Sequence, residues 1–257
     1  VYITFRLLNV SDLTVDGSFA TGGAVTVMLL LQGLPAWAAL LLAVAVGILT
    51  GLCTGLLHTK FGIPAILAGI LTQFALYSIN LRIMGKANQT ASIKNFGMFW
   101  ETNGKGFLMS SLYVPQALIA GLLLSAALVA LLYWYFGTEQ GSAMRATGAN
   151  PAMSRAQGIN VSNMKLLGLA LSNGLVALAG GLMTQFQGTA DVSMGRGAIV
   201  IGLAAIIIGE GLCDAIFRKG CNFAVRLLFV VFGGVVYYAV MVLILWLKLD
   251  PNDLKLF

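Results

Sequence analysis

Two carboxylates and a hydroxyl near the beginning of the chain are the first residues whose types and spacing could serve chemistry. Asp12 and Asp16 lie four residues apart, and Ser18 begins an apolar run that is rich in glycine. Irregular backbone at membrane depth survives only where protein or water satisfies its polar groups, so this stretch is predicted to border a translocation pathway. The alternative is an N-capped helix start at the membrane surface, where the helix dipole stabilises Asp16.

Three single polar residues, Gln73, Asn80 and Asn173, lie inside long apolar runs. Polar side chains within a span usually face protein or water rather than lipid. They either line the same pathway or hydrogen-bond a neighbouring helix. We predict that all three belong to the pathway.

A second polar interruption, the segment 141–159, has an ordered pattern, GSAMRATGANPAMSRAQGI. Its first part is predicted to form a helical turn that Gly148 ends. Asn150 then supplies an N-cap and Pro151 the first position of a second short helix. Gly158 is predicted to close that helix just beyond its last residue. The pattern indicates two rigid short helices rather than a flexible loop.

The same segment carries two basic side chains, Arg145 and Arg155, which make it a basic protrusion. Guanidinium groups form charge-assisted hydrogen bonds with anionic groups. The alternative is a basic amphipathic loop that rests on anionic lipid headgroups.

The composition is that of a multi-pass membrane protein. The 257 residues are 59% apolar and 9% charged, whereas soluble domains carry roughly 25% charged residues. The net charge of +6 is explained by basic residues that face anionic lipid headgroups and by the excess of Lys and Arg in cytoplasmic loops. It therefore implies no nucleic-acid partner. No metal site is expected, because the cysteines lack metal-ligand and CxxC spacing. We predict free thiols at Cys53, Cys213 and Cys221.

An uncharged run covers residues 17–57 and is long enough for two spans of about 20 residues each. Gly33 and Pro35 are predicted to break it, because proline cannot continue the hydrogen bonding of a helix. The second half carries glycine at every fourth position, which is predicted to allow another helix to pack closely. These glycines are Gly47, Gly51 and Gly55.

The remaining apolar runs predict an all-α transmembrane bundle that forms one domain, residues 1–257. The run between Arg196 and Glu210 corresponds to only about 20 Å of helix, so it predicts a discontinuous or tilted element. Residues 85–111 are hydrophilic and are expected to form an exposed loop. The terminal helices are expected to be incomplete at both ends. Further full spans are predicted at 64–81, 112–136, 166–190 and 227–247.

The sequence RATGANPAMSRAQGI resembles the coupling segment of permeases from bacterial ATP-binding-cassette importers. The family in question serves branched-chain amino acids, ribose-type sugars and nucleosides. Its motif is an Arg-Ala-x-Gly-x-Asn-Pro core followed by Ala- or Ser-Arg-x-x-Gly-Ile. The likeness extends to residues 9–18, 172–175 and 207–210, and it includes a subgroup linked with aromatic amino acid uptake. The motif positions are occupied here by Arg145, Ala146, Gly148, Asn150, Pro151, Arg155, Gly158 and Ile159.

The resemblance implies a type II-like permease with broken helices and a cytoplasmic coupling-helix loop, located in the bacterial inner membrane. It implies cytoplasmic ATPase subunits that hold ATP and Mg²⁺, an extracytoplasmic solute-binding protein, a second permease copy (homodimer favoured) and surrounding lipid. It also implies that Arg145 and Arg155 orient the segment on the ATPase through charge-assisted hydrogen bonds. The sequence has no GxxxxGK-S/T phosphate-binding loop, so the chain is expected to be neither an enzyme nor the holder of a cofactor. With residues 137–165 in the cytoplasm, alternate crossings are expected to place 58–62 and 211–222 on the cytoplasmic side and 85–111 and 186–195 outside.

The favoured solute is an amino acid, and two alternatives stay open. One is an importer permease of the same architecture for sugars or nucleosides. The other is a secondary transporter of a small polar solute that is driven by an ion gradient. Such transporters keep ionisable residues inside their spans. The predicted full spans are uncharged in their middles, which disfavours ion coupling.

Overall fold

Helices make up nearly all of the regular structure in the part of the protein that the computed structural model describes, residues 1–91, 114–217 and 222–246. A π-helical turn, Ile3–Leu7, comes first, and one two-stranded sheet joins two loops. The elements are α1 (Val15–Leu31), α2 (Ala36–Thr59), α3 (Ala65–Met84), β1 (Asn88–Thr90), α4 (Val114–Gly137), α5 (Glu139–Ala149), α6 (Pro151–Ala156), α7 (Val161–Gln187), β2 (Thr189–Asp191), α8 (Ala198–Phe217) and α9 (Phe223–Trp246).

Five of the described helices, α2, α3, α7, α8 and α9, are long and apolar enough to cross a membrane. The stretch Gly121–Gly137 of α4 followed by α5 forms a bent pair with an angle of 81°. The predicted all-α, multi-pass architecture is therefore confirmed. The helix α1 is shorter, and it begins only after an irregular segment.

The predicted break between the first two spans is confirmed. The helix α1 ends at Leu31, and α2 begins at Ala36, directly after Pro35. Gly33 adopts a φ of +84°, a left-handed conformation that side chains other than glycine rarely adopt. The two helices therefore reverse direction within a few residues.

The helix α7 packs against both α1 and α2 and forms the centre of the bundle. A Cβ atom added to Gly47 would overlap Ala177 of α7, and one added to Gly51 would overlap the carbonyl of Leu169. At Gly55 the contact is looser, because an added Cβ would lie 3.3 Å from the Cα of Leu166. The three glycines of α2 thus lie on the face that meets α7, where backbone contact replaces side-chain contact.

The strands β1 and β2 pair in antiparallel fashion, with Asn88 opposite Asp191 and Thr90 opposite Thr189. This pairing brings together the loop after α3 and the loop after α7. Both loops therefore lie at the same end of the bundle, as the predicted orientation requires. The rest of the predicted exposed loop, from residue 92 to 111, lies outside the described residues.

The helix α8 corrects one prediction. It is a continuous helix of 20 residues and does not stop at Glu210. The charge of Glu210 is tolerated inside the helix because the Nε of Arg6 lies 2.7 Å from its Oε1. An ion pair from a distant part of the chain thus removes the reason for ending the helix there.

The cysteines give a second correction. Cys53 is a free thiol, as predicted, but Cys213 is disulfide-bonded. Sequence spacing excludes familiar metal and redox motifs, but it does not identify which thiols meet after folding. Within the described ranges, no group of three or more His, Cys, Asp or Glu side chains could hold a metal ion.

The irregular segment 8–14, called here the break segment, lies between the π-helical turn and α1. Its residues alternate between buried and more exposed positions. The even-numbered positions face the interior: Leu8, Val10, Asp12 and Thr14 are all buried. Non-helical backbone therefore lies within the bundle, covered by protein.

Candidate functional site

Asp12 of the break segment is held by two hydrogen bonds inside the bundle. Its Oδ1 accepts from the backbone N–H of Thr14 at 2.9 Å, and its Oδ2 accepts from Nδ2 of Asn173 at 2.8 Å. Only 4% of Asp12 is exposed, and Asn173 is fully buried in the middle of α7. The bond therefore joins the irregular segment to the central helix.

Hydroxyl groups extend this contact across the bundle. The hydroxyl of Ser18 donates to Oδ1 of Asn173 at 2.7 Å and lies 2.9 Å from the hydroxyl of Thr50. The hydroxyl of Thr54 lies 2.8 Å from that of Thr14 and donates to that of Thr72 at 3.0 Å. The buried polar network is the set Asp12, Thr14, Ser18, Thr50, Thr54, Thr72 and Asn173.

The sequence predicted three members of this network, Asp12, Ser18 and Asn173, and missed its threonines. Thr50 and Thr54 are one helical turn apart, so they project from the same face of α2. The hydroxyl of Thr50 donates to the carbonyl of Gly47 in its own helix, as threonine commonly does in a span, and that of Thr54 lies 3.2 Å from the carbonyl of Thr50. Threonine spacing along the glycine-rich helix was the available signal.

Asp12 forms no salt bridge with a lysine, arginine or histidine side chain within the described part of the chain, where Arg6 pairs with Glu210. Its carboxylate is satisfied by hydrogen-bond donors instead. A carboxylate inside a membrane bundle is costly unless it is bonded, and such residues commonly mark solute or ion pathways. Asp12 therefore has the environment of a functional residue.

Asp16 lies four residues after Asp12, in the first turn of α1, and it has a different role in the structure. Its Oδ2 accepts from the backbone N–H of Gly197 at 3.1 Å, and its Oδ1 accepts from that of Ile199 at 3.0 Å. A carboxylate at this place complements the positive end of the helix dipole. Asp16 thus stabilises the start of α8, and it also lines a cavity beside α1.

That cavity has a volume of about 330 Å³. Asn80 lies in its wall, is only 1% exposed, and has neither side-chain polar atom bonded to any residue that the structure describes. The cavity and the buried polar network lie on different faces of the first turns of α1. The cavity is lined by Asp16, Gly17, Ala20, Gln73, Phe74, Tyr77, Asn80, Val192 and Arg196.

The six predicted pathway residues therefore fall into two groups. Asp12, Ser18 and Asn173 belong to the buried polar network. Asp16, Gln73 and Asn80 line the cavity. The structure brings each group together without merging the two.

The segment 141–159 forms two short helices, as the sequence predicts. The Oδ1 of Asn150 accepts from the backbone N–H groups of Ala152 and Met153 at 3.1 and 3.0 Å, and Pro151 occupies the first helical position. Gly158 has a φ of +83° beyond the end of α6. The cap, the proline and the glycine give this turn a defined shape.

Gly148 corrects the prediction for the first of these helices. It lies inside α5, which continues to Ala149, and does not end it. The Cα of Gly148 faces the backbone of Leu7, and a Cβ atom added to Gly148 would overlap the carbonyl of Leu7. Close approach of two backbones, rather than helix termination, is what requires glycine here.

The two arginines of the segment differ in their surroundings. The guanidinium of Arg145 lies 5.3 Å from the ring centroid of Phe223 at the start of α9. Arg155 is exposed on α6, and its side chain makes no hydrogen bond or ion pair with the residues described. Both arginines are therefore exposed, and only the guanidinium of Arg145 also contacts an aromatic ring of the described residues.

Apolar spans that surround buried polar groups and a cavity with polar and charged residues in its wall define this protein as a multi-pass membrane protein with the interior of a transport protein. The chain belongs to the family of permease components of branched-chain amino acid transport systems, whose model matches residues 1–257. The predicted family is thereby confirmed, as is the predicted multi-pass location in the inner membrane.

Several curated proteins are similar to the chain. A tyrosine transport system permease protein of Clostridioides difficile is 39% identical over 196 residues, which cover 75% of this chain and 61% of that protein. An uncharacterized protein of Rickettsia prowazekii is 33% identical over the whole chain and 86% of its own length. The ribose import permease protein RbsC of Escherichia coli is 29% identical over 66% of this chain and 51% of its own length. No solved structure matches the chain.

Proposed function

We propose that the protein is the membrane-spanning subunit of an ATP-driven importer and that its solute is an amino acid rather than a sugar or nucleoside. The observation that carries the proposal is the backbone contact between Gly148 of α5 and Leu7, immediately before the break segment. The family and the similarity to a tyrosine permease protein support the choice of solute.

Energy reaches this chain from outside, because the sequence has no phosphate-binding loop. The protrusion formed by α5 and α6 is the surface on which a cytoplasmic ATPase subunit docks. Arg155 supplies a free cation on that surface, and Met153 supplies an apolar side chain that is 59% exposed. ATP and Mg²⁺ are held by the ATPase subunit.

Movement of the protrusion then displaces the break segment. No side chain separates α5 from Leu7 at Gly148, so a shift of α5 moves the chain at Leu7 directly. The next residue, Leu8, is buried between α5 and α7, where it meets Gly168. The shift therefore acts on Asp12 and on its bond to Asn173, since packed interiors transmit displacement instead of absorbing it.

The other partners follow from the same architecture. A solute-binding protein docks at the end of the bundle that carries β1 and β2, opposite α5 and α6. A second copy of the chain, in a homodimer, completes the pathway within the lipid. The solute passes the cavity beside α1 and then the buried polar network.

A second candidate function is supported by one observation. Asp12 is a carboxylate inside the bundle, although every predicted full span is uncharged in its middle. The break segment therefore supplies the buried ionisable group that ion-coupled secondary transporters use. The sequence argument against ion coupling considered only the full spans, so it does not cover Asp12.

Transport into proteoliposomes distinguishes the two functions. The chain is reconstituted with its ATPase and binding-protein partners, with ATP and Mg²⁺ supplied on the side of the ATPase. An ATP-driven importer accumulates labelled amino acid only with ATP, and a protonophore leaves uptake unchanged. Uptake by the permease alone that follows an imposed pH gradient and stops with the protonophore would instead establish the secondary transporter.

A further inference from the structure

The cavity beside α1 contains a polar side chain that the protein itself does not satisfy. Asn80 is buried on α3, and both its Nδ2 and its Oδ1 lack a hydrogen-bond partner within the described ranges. Buried polar atoms are nearly always bonded, because leaving them unbonded costs free energy. One amide with a free donor and a free acceptor is suited to a ligand that offers both.

Two charges of opposite sign line the same cavity. Arg196 is exposed, and its guanidinium has five N–H donors for an anionic group. Asp16 accepts one backbone N–H on each carboxylate oxygen, which leaves a further lone pair on each. The cavity can therefore bind an anionic group and a cationic group of one small molecule.

The rest of the wall is apolar and aromatic. Phe74, Tyr77 and Asn80 follow one another on α3 at intervals of about one turn, and Val192 and Ala20 complete the surface. Aromatic side chains favour aromatic ligands in stacked or edge-to-face contact. The volume of about 330 Å³ is in the range of small-molecule pockets.

We propose that this cavity is a binding site for an aromatic α-amino acid within the membrane subunit. Arg196 binds the carboxylate, Asp16 and the Oδ1 of Asn80 bind the ammonium group, and Phe74 and Tyr77 contact the ring. The proposal rests on the proposed function, in which the solute is an amino acid. With this site, the permease itself selects the solute, in addition to any selection by a binding protein.

Equilibrium binding of radiolabelled tyrosine tests the site, with the assembled permease and ATPase in detergent, without binding protein or ATP. We expect saturable binding in which phenylalanine competes. Tyramine lacks the carboxylate and 4-hydroxyphenylpropionate lacks the ammonium group, so each should compete about ten- to a hundredfold more weakly than phenylalanine. Ribose should not compete. Absence of saturable binding, or equal competition by all of these compounds, overturns the proposal.

Two variants assign the binding to this cavity. Arg196→Gln and Asn80→Leu should each weaken tyrosine binding about ten- to a hundredfold, whereas Arg82→Gln, which changes an exposed cation on α3 outside the cavity, should not. Asn80→Leu removes unbonded polar atoms, so the Tm of the ligand-free protein should stay the same or rise. A lower Tm together with unchanged binding by Arg196→Gln shows that Asn80 is structural and contradicts the site.

The result separates this proposal from the proposed function. ATP-dependent uptake with no tyrosine binding, and with an unchanged KM in Arg196→Gln, removes the site and leaves the importer. Tyrosine binding that depends on Arg196, in a protein whose uptake follows an ion gradient, keeps the site and removes the importer.

Discussion

Gly148 of α5 packs directly on the backbone carbonyl of Leu7, with no room between them for a side chain. Leu7 is the last residue of the π-helical turn, and the break segment follows it at once. The basic protrusion and the buried polar network are therefore linked by a few residues of one chain. In the proposed function, this contact is the physical route from the protrusion into the membrane interior.

The arginines of the protrusion should differ in their effects. Arg155→Glu reverses an exposed charge at the proposed docking surface, so it should weaken binding of the ATPase subunit by at least about tenfold. Arg145→Glu loses its contact with Phe223, and it should lower the free energy of unfolding by about 0.5–1 kcal/mol. Surface plasmon resonance with the ATPase subunit and thermal unfolding measure the two effects.

Arg82→Glu is the control for these variants. Arg82 is exposed in the last turn of α3, at the end of the bundle that carries β1 rather than at the protrusion. Its substitution should change neither measurement. Equal ATPase binding by Arg155→Glu and Arg82→Glu would contradict the docking surface.

The bond between Asp12 and Asn173 should appear as a coupling energy. Asp12→Ala and Asn173→Ala each leave a buried polar partner unbonded, which costs about 1–3 kcal/mol. In a double-mutant cycle the two changes should be non-additive by about 0.6–1.7 kcal/mol, the range for hydrogen bonds in membrane bundles. Unfolding in detergent micelles measures the four proteins, and additive effects would show that the bond does not contribute.

The packing of α2 on α7 should depend on glycine position. Gly51→Ala places a methyl group against the carbonyl of Leu169, and overpacking of this kind costs about 1–3 kcal/mol. Gly55→Ala gains the same helix propensity but meets its nearest atom at 3.3 Å, so it is the matched control. Thermal unfolding should give a lower Tm for Gly51→Ala than for Gly55→Ala. The reverse order would refute the close contact.

Much of the fold could be predicted from the sequence because the membrane restricts the possibilities. Long uncharged runs have to form helices, and Pro35 has to interrupt one of them. The same argument failed at Glu210, where the helix continues because Arg6 pairs with the carboxylate. A charge ends a span only if nothing in the fold neutralises it, and the partner here is 204 residues away.

The candidate site was predictable only in part, for a similar reason. The sequence shows that Asp12 and Asn173 are polar residues in or beside long apolar runs. It does not indicate that they bond to each other. Gly148 was assigned to a helix end, since glycine commonly occupies such positions. Its actual role depends on Leu7, and contacts between distant segments exist only after folding.

The central claim is that a displacement of α5 by the ATPase subunit is transmitted through Gly148 to the break segment. It is tested most directly by measuring solute uptake and ATP hydrolysis together in proteoliposomes that contain Gly148→Ala, after gel filtration has confirmed assembly with the ATPase. The control is Gly121→Ala, a change at a glycine of α4 whose added Cβ meets no atom within 4 Å. The amount of solute moved per ATP should fall by about tenfold or more for Gly148→Ala and stay unchanged for Gly121→Ala. An equal ratio in the two assembled variants would contradict the claim.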